Sequence, residues 1–297
     1  MKRFFRVFLI ALLLVSGCDD DASSNTNNVN NVNNVNNVNN VNNVNNVNNV
    51  NNVNNVNNVN NVNNAPGYLV ADHGVVAAFE GIPGTALTDA IGNLNVYYGH
   101  TSHGSQLVTG MEMLQDQVDF ASLNLTEESG DLGHLGDLAW EGLTRTHLAA
   151  HPETNVVIWS WCGGVSDNTV DGIQTYLDAM NTLETDFPLV TFVYMTGHLD
   201  GTGEDGTLRV NNRQIRTWCA AHGKILFDFE DLESYDPAGT YYPDETDACG
   251  WCTTWLTDHP GACPDCGDSC QHSHCFNCYQ KGKAAWWLLA RIAGWNG

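Results

Sequence analysis

Four apolar runs of strand length, each followed by a polar turn, most limit what this chain can fold into. They are Leu94–Tyr98, Val156–Trp161, Val190–Met195 and Ile225–Phe229. After the first, Leu107, Met111, Leu114 and Val118 recur at steps of four, three and four, which is one face of a helix. Ile173, Tyr176, Leu177, Met180 and Leu183 repeat that pattern after the second run, and Phe187-Pro188 ends it. Ile215 and Trp218 mark a helix after the third run, and Trp286, Leu289 and Ala293 mark the last one. Apolar runs alternating with amphipathic helices predict an α/β fold, with a parallel sheet covered on both sides.

Only the part after residue 64 has the material for a core. Residues 1–17 carry Lys2, Arg3 and Arg6 and then an apolar run from Val7 to Val15, the order of a secretion signal. Val15-Ser16-Gly17-Cys18 resembles the lipobox of bacterial lipoproteins. That resemblance implies cleavage before Cys18, a lipid on its sulfur and a membrane anchor in the cell envelope, inner or outer. From Asn27 to Asn64 the triplet Asn-Asn-Val repeats without interruption. A valine every third residue fits neither the helical nor the strand period, so 18–64 reads as a low-complexity, disordered stalk. Residues 65–297 are then one domain.

The whole chain carries a formal charge of −23, and the signal segment holds three of its basic residues and no acid. The mature protein is therefore more acidic still. A surface of that sign repels nucleic acid, and no basic patch offsets it.

Ten cysteines in an exported chain predict disulfides. With Cys18 assigned to the lipid, the candidates are Cys219, Cys249, Cys252, Cys263, Cys266, Cys270, Cys275 and Cys278, leaving Cys162 over. Cys249-Gly250-Trp251-Cys252 has the spacing of a redox pair, and Cys249/Cys252 with Cys263/Cys266 that of a zinc knuckle. The oxidising compartment and the cysteine density of 249–278 favour structural bridges in a segment short of aliphatic residues.

Polar and glycine residues follow every strand-like run. The first leads into Gly99-His100-Thr101-Ser102-His103-Gly104, the second into Cys162-Gly163-Gly164, the third into Thr196-Gly197-His198-Leu199-Asp200-Gly201 and the fourth into Glu230-Asp231. In a parallel sheet these stretches share the carboxyl edge, where ligands bind. Ser102 falls at a strand-to-helix turn. There its hydroxyl is exposed, and the helix N-terminus offers N–H groups to an oxyanion. His272 stands in a loop just before the last helix, as a distant base.

In this order the chain resembles the SGNH (GDSL-type) hydrolases. "GHTSHG" resembles that family's first block, "VVIWSWCGG" its third and "HSHCFNCYQKGKAAWWLLA" its last. The resemblance spans about Leu94 to Ala293. It implies a three-layer α/β/α fold with a flavodoxin-like sheet, Ser102 as nucleophile, His272 as base and Asp268 as acid. Its oxyanion hole would be the Ser102 N–H with Gly163. His100, His103, His198 and Asp200 would line the substrate pocket.

The chain departs from the family at several points. Thr101 replaces the aspartate before the serine, and Trp161-Cys162-Gly163-Gly164 replaces Gly-x-Asn-Asp. Ser269 holds the place three before the histidine, with Asp268 one residue further away, and Gly130, Gly133 and Gly136 compete for the second block's glycine. The reading that follows is a lipid-anchored serine ester hydrolase for an acylated carbohydrate or other small ester, needing no cofactor or metal. Two alternatives are a non-catalytic binding protein on a hydrolase fold and a hydrolase using a histidine-bound metal. In the last, His198 or Asp200 would join His100, His103 and His272, although no H-E-x-x-H pair is present.

Overall fold

A computed structural model describes residues 67–297. The signal segment, Cys18 and the Asn-Asn-Val tract lie outside the described residues.

Six strands form one sheet: β1 Leu69–Ala71, β2 Asn95–His100, β3 Asn124–Ser129, β4 Val156–Trp159, β5 Thr191–Met195 and β6 Ile225–Phe227. Their order is β1-β6-β5-β4-β2-β3, and every neighbouring pair is parallel. Counted from β2, the strands β2 to β6 follow the flavodoxin-like order, and β1 extends the sheet beyond β6. β4 is buried along its whole length, as its unbroken Val-Val-Ile-Trp run requires of a central parallel strand.

The helices before the sheet's centre are α1 His73–Val76, α2 Gly84–Asn93, α3 Ser102–Glu112 and α4 Ala139–Ala150. Those after it are α5 Gly164–Asp167, α6 Val170–Asp186, α7 Thr207–His222, α8 Phe229–Ser234, α9 Gly250–Asp258 and α10 Cys275–Ile292. α10 packs against α1, α2 and α3, while α6 packs against α4 and α7. The two sets are the outer layers of an α/β/α sandwich. No helix among the described residues is long and apolar enough to cross a membrane.

The chain passes from β2 to β3 on one side and returns to β4 on the other. This is a switch point, and it opens a crevice beyond the carboxyl ends of β2 and β4. Ser102 follows β2 and Cys162-Gly163 follows β4, so both border that crevice.

Three disulfides, Cys249–Cys252, Cys266–Cys275 and Cys270–Cys278, staple the C-terminal segment. The cysteines of the knuckle-spaced set are thus divided between bridges and a thiol. Two cysteines expected in bridges are not in them: Cys219 and Cys263 are the free thiols among the described residues, and the one left over is not Cys162. Cys219 sits on α7, fully buried in the apolar core and away from the cysteine-dense segment. Cys263 is half-buried and turns its thiol to the carbonyl of Pro264 at 3.0 Å.

Candidate active site

Ser102 is the first residue of α3, and Thr101 is the N-cap. Thr101 makes no side-chain capping bond, so the amides of the first turn are left for a ligand. The glycine two residues on is a packing requirement: a Cβ on Gly104 would stand 2.1 Å from Ser160 Oγ, at the end of β4. Ser102 is buried, not exposed as its place at the strand-to-helix turn implies, and its Oγ lies 3.6 Å from Cys162 Sγ.

His103 is the centre of the cluster. Its Nε2 is 3.0 Å from Asp247 Oδ2 and its Nδ1 is 3.2 Å from Cys162 Sγ. With the carboxylate as acceptor, Nε2 carries the proton. His198 stacks on one face of the ring, with centroids 3.6 Å apart and planes 2° from parallel. His272 stacks on it as well, at 4.4 Å and 12°. Burial holds the His103 pKa below its ordinary value, and the neighbouring imidazoles of His198 and His272 push the same way, against the Asp247 bond. Burial raises the Asp247 pKa, but the His103 bond and nearby cationic groups outweigh it and leave that carboxyl below its usual range.

His198 reaches the cluster from the loop after β5. Its Nδ1 meets the Leu199 carbonyl at 3.0 Å, so the proton is there, and Nε2 accepts the Gly163 N–H at 3.3 Å. The Gly163 amide expected in the oxyanion hole is therefore directed at His198. Asp247 comes from the loop before α9. That loop is docked by the Asp247 N–H on the Leu199 carbonyl, 3.1 Å, and by an Asp200–Thr246 bridge.

His272 is exposed and takes a left-handed backbone, φ 62°. It lies inside the loops closed by both Cys266–Cys275 and Cys270–Cys278. Helix α3 clamps this segment: Gln106 Nε2 donates to the Gln271 carbonyl at 2.6 Å, and Thr109 Oγ1 donates to the Ser269 carbonyl at 3.1 Å. Ser102 and His272 are thus brought to one edge of the sheet. Among the described residues, no hydrogen bond joins Ser102 Oγ to His272, and none joins Asp268 to His272.

The other two residues expected in the pocket, His100 and Asp200, make hydrogen bonds outside the cluster. His100 turns to the β3 side, its Nε2 2.8 Å from Glu127 Oε2. Asp200 accepts from Ser166 Oγ at 2.9 Å and from the Thr202 N–H at 3.0 Å, which ties down its own loop.

Asp247 was invisible in the sequence as a site residue. It stands in a polar loop with no periodic neighbours, and only the return of that loop to the Leu199 carbonyl places it. No protein-family model matches the chain, and no curated protein matches it.

Proposed function

We propose that this protein is a serine ester hydrolase of the cell envelope, held there by a lipid on Cys18. Its substrate is an acylated carbohydrate or another small ester. The observation that carries the reading is the position of Ser102. It is the first residue of α3, at the switch point of a parallel sheet, with an uncapped helix N-terminus around it. In the reaction, Ser102 Oγ attacks the ester carbonyl and its proton passes to His272. The first-turn amides of α3 hold the developing oxyanion. His272 is exposed and its ring nitrogens make no hydrogen bond among the described residues, which leaves it able to turn toward the serine; catalytic bonds are commonly long without substrate.

The test uses purified full-length chain with p-nitrophenyl acetate, acetylated sugars and a fluorophosphonate probe. Ser102→Ala and His272→Ala should each abolish most hydrolysis, and the double variant should be little worse than either, because residues acting as a unit are not additive. The probe should label the wild type and not Ser102→Ala. Hydrolysis unaffected by Ser102→Ala would overturn the reading.

One observation favours a second function. Ser102 Oγ faces Cys162 Sγ rather than a base, as suits a fold kept for binding alone. Sugar or peptide binding with neither hydrolysis nor probe labelling would decide for that function.

A further inference from the structure

The imidazole cluster has a donor set that ester hydrolysis does not use. One ligand atom from each of His103, His198 and Asp247 lies within 4.8 Å of the others. The three residues come from the first turn of α3, the loop after β5 and the loop before α9, so the fold spends three separate segments on this meeting. His103 and His198 are buried, and Asp247 is partly open to solvent, which gives an ion a way in.

The Nδ1–H of His198 is held by the Leu199 carbonyl, which leaves Nε2 as the acceptor nitrogen, here of the Gly163 N–H. Metal-binding histidines are commonly fixed through such a bond on the second ring nitrogen. Two imidazoles and one carboxylate form a recurrent donor set for zinc and related ions. The strongly acidic chain also concentrates cations around itself.

We propose that His103, His198 and Asp247 bind one divalent transition-metal ion of the zinc type. The ion takes the place of the proton between His103 Nε2 and Asp247, and the ring stays neutral by carrying its one proton on Nδ1 instead. The rings of His103 and His198 lie parallel, so they must tilt toward a common point when the ion binds. The 3.3 Å bond from the Gly163 N–H to His198 Nε2 then opens.

Full-length protein, stripped with a chelator, is titrated with Zn²⁺ by calorimetry and with Co²⁺ by visible absorption. One ion per chain should bind, and the Co²⁺ spectrum should lack a thiolate charge-transfer band. His198→Gln and Asp247→Asn should weaken binding beyond the roughly 10–100-fold cost of losing an outer partner. His222→Ala, on the exposed end of α7, should change nothing. Thermal melts establish that each variant is folded, and Asp247→Asn preserves shape should His198→Gln fail to fold. Absence of binding, equal binding by the variants, or a thiolate band would overturn the proposal. Because the readout is binding, it stands or falls separately from ester hydrolysis.

Discussion

A Cβ built on Gly282 would stand 2.1 Å from the carbonyl carbon of Gly110, and one built on Gly110 would stand 1.8 Å from the Cys278 carbonyl oxygen. At this crossing α3 and α10 touch backbone to backbone. α3 begins with Ser102, and α10 follows shortly after His272, so the crossing sets the distance between the proposed nucleophile and base. Gly282→Ala should force the helices apart, costing about 1–3 kcal/mol for overpacking, and should remove hydrolysis. Gly92→Ala, in helix α2 with open space around it, should leave stability equal or raised by up to about 1 kcal/mol. Thermal melts and ester assays on both variants check this, and an unchanged Gly282→Ala would refute it.

In the chelator-stripped protein, the histidine cluster should respond to acid in a defined direction. Because burial lowers the folded pKa of His103, the unfolded chain takes up that proton first as pH falls. The stability tied to neutral His103 is complete above about pH 6.5 and is lost as pH drops toward the folded value. Asp247 adds a contribution that disappears at lower pH, as acid reaches its depressed value. By ring-nitrogen NMR, His103 should protonate after His134. Burial lowers the His134 pKa too, but the Asp167 bond outweighs it and raises the net value. Asp247→Asn should push the His103 value lower still. Protonation of His103 at or above pH 6.5 would contradict this.

Lys281 and Glu233 are both fully buried, with Nζ 2.6 Å from Oε1. Lys281 also donates to Gln106, the residue that clamps the carbonyl before His272. Lys281→Met leaves a buried carboxylate without its cation and should cost about 3–5 kcal/mol. Lys281→Met/Glu233→Gln should cost less than the single change. Denaturant melts of the two variants measure the difference, and a double variant weaker than the single would count against the ion pair.

Burial pushes the Cys219 thiol well above its ordinary pKa, and the Cys263 thiol up to about 12. Thiols that stay protonated react slowly. In the native protein at neutral pH, Cys219 should resist a maleimide fully and Cys263 should react sluggishly. Both should react at once after unfolding. Peptide mass spectrometry reads the two sites, and native labelling of Cys219 would show that α7 is misplaced.

The four long apolar runs announced β2, β4, β5 and β6, because central parallel strands are buried on both faces. β3 was hidden for the opposite reason. Asn124–Ser129 lies at the sheet edge, is largely exposed, and reads Asn-Leu-Thr-Glu-Glu-Ser. β1 was hidden because three residues carry no measurable period. The strand-end position of Ser102 was legible, and so was that of His198, since both lie just after apolar runs. Asp247 was not, because its placement depends on hydrogen bonds between loops. The pairing of Cys266 with Cys275 and of Cys270 with Cys278 was equally out of reach, since spacing alone does not choose among pairings.

The parts of the crevice are spread along the chain. His103 meets Cys162 across 59 residues and Asp247 across 144, and the segment bearing His272 arrives later still. Contacts so distant in sequence need the costliest loop closures, and they form after local structure. Ser102 therefore depends on residues from the far end of the chain, and the crevice has both its walls only where α10 is packed against α3.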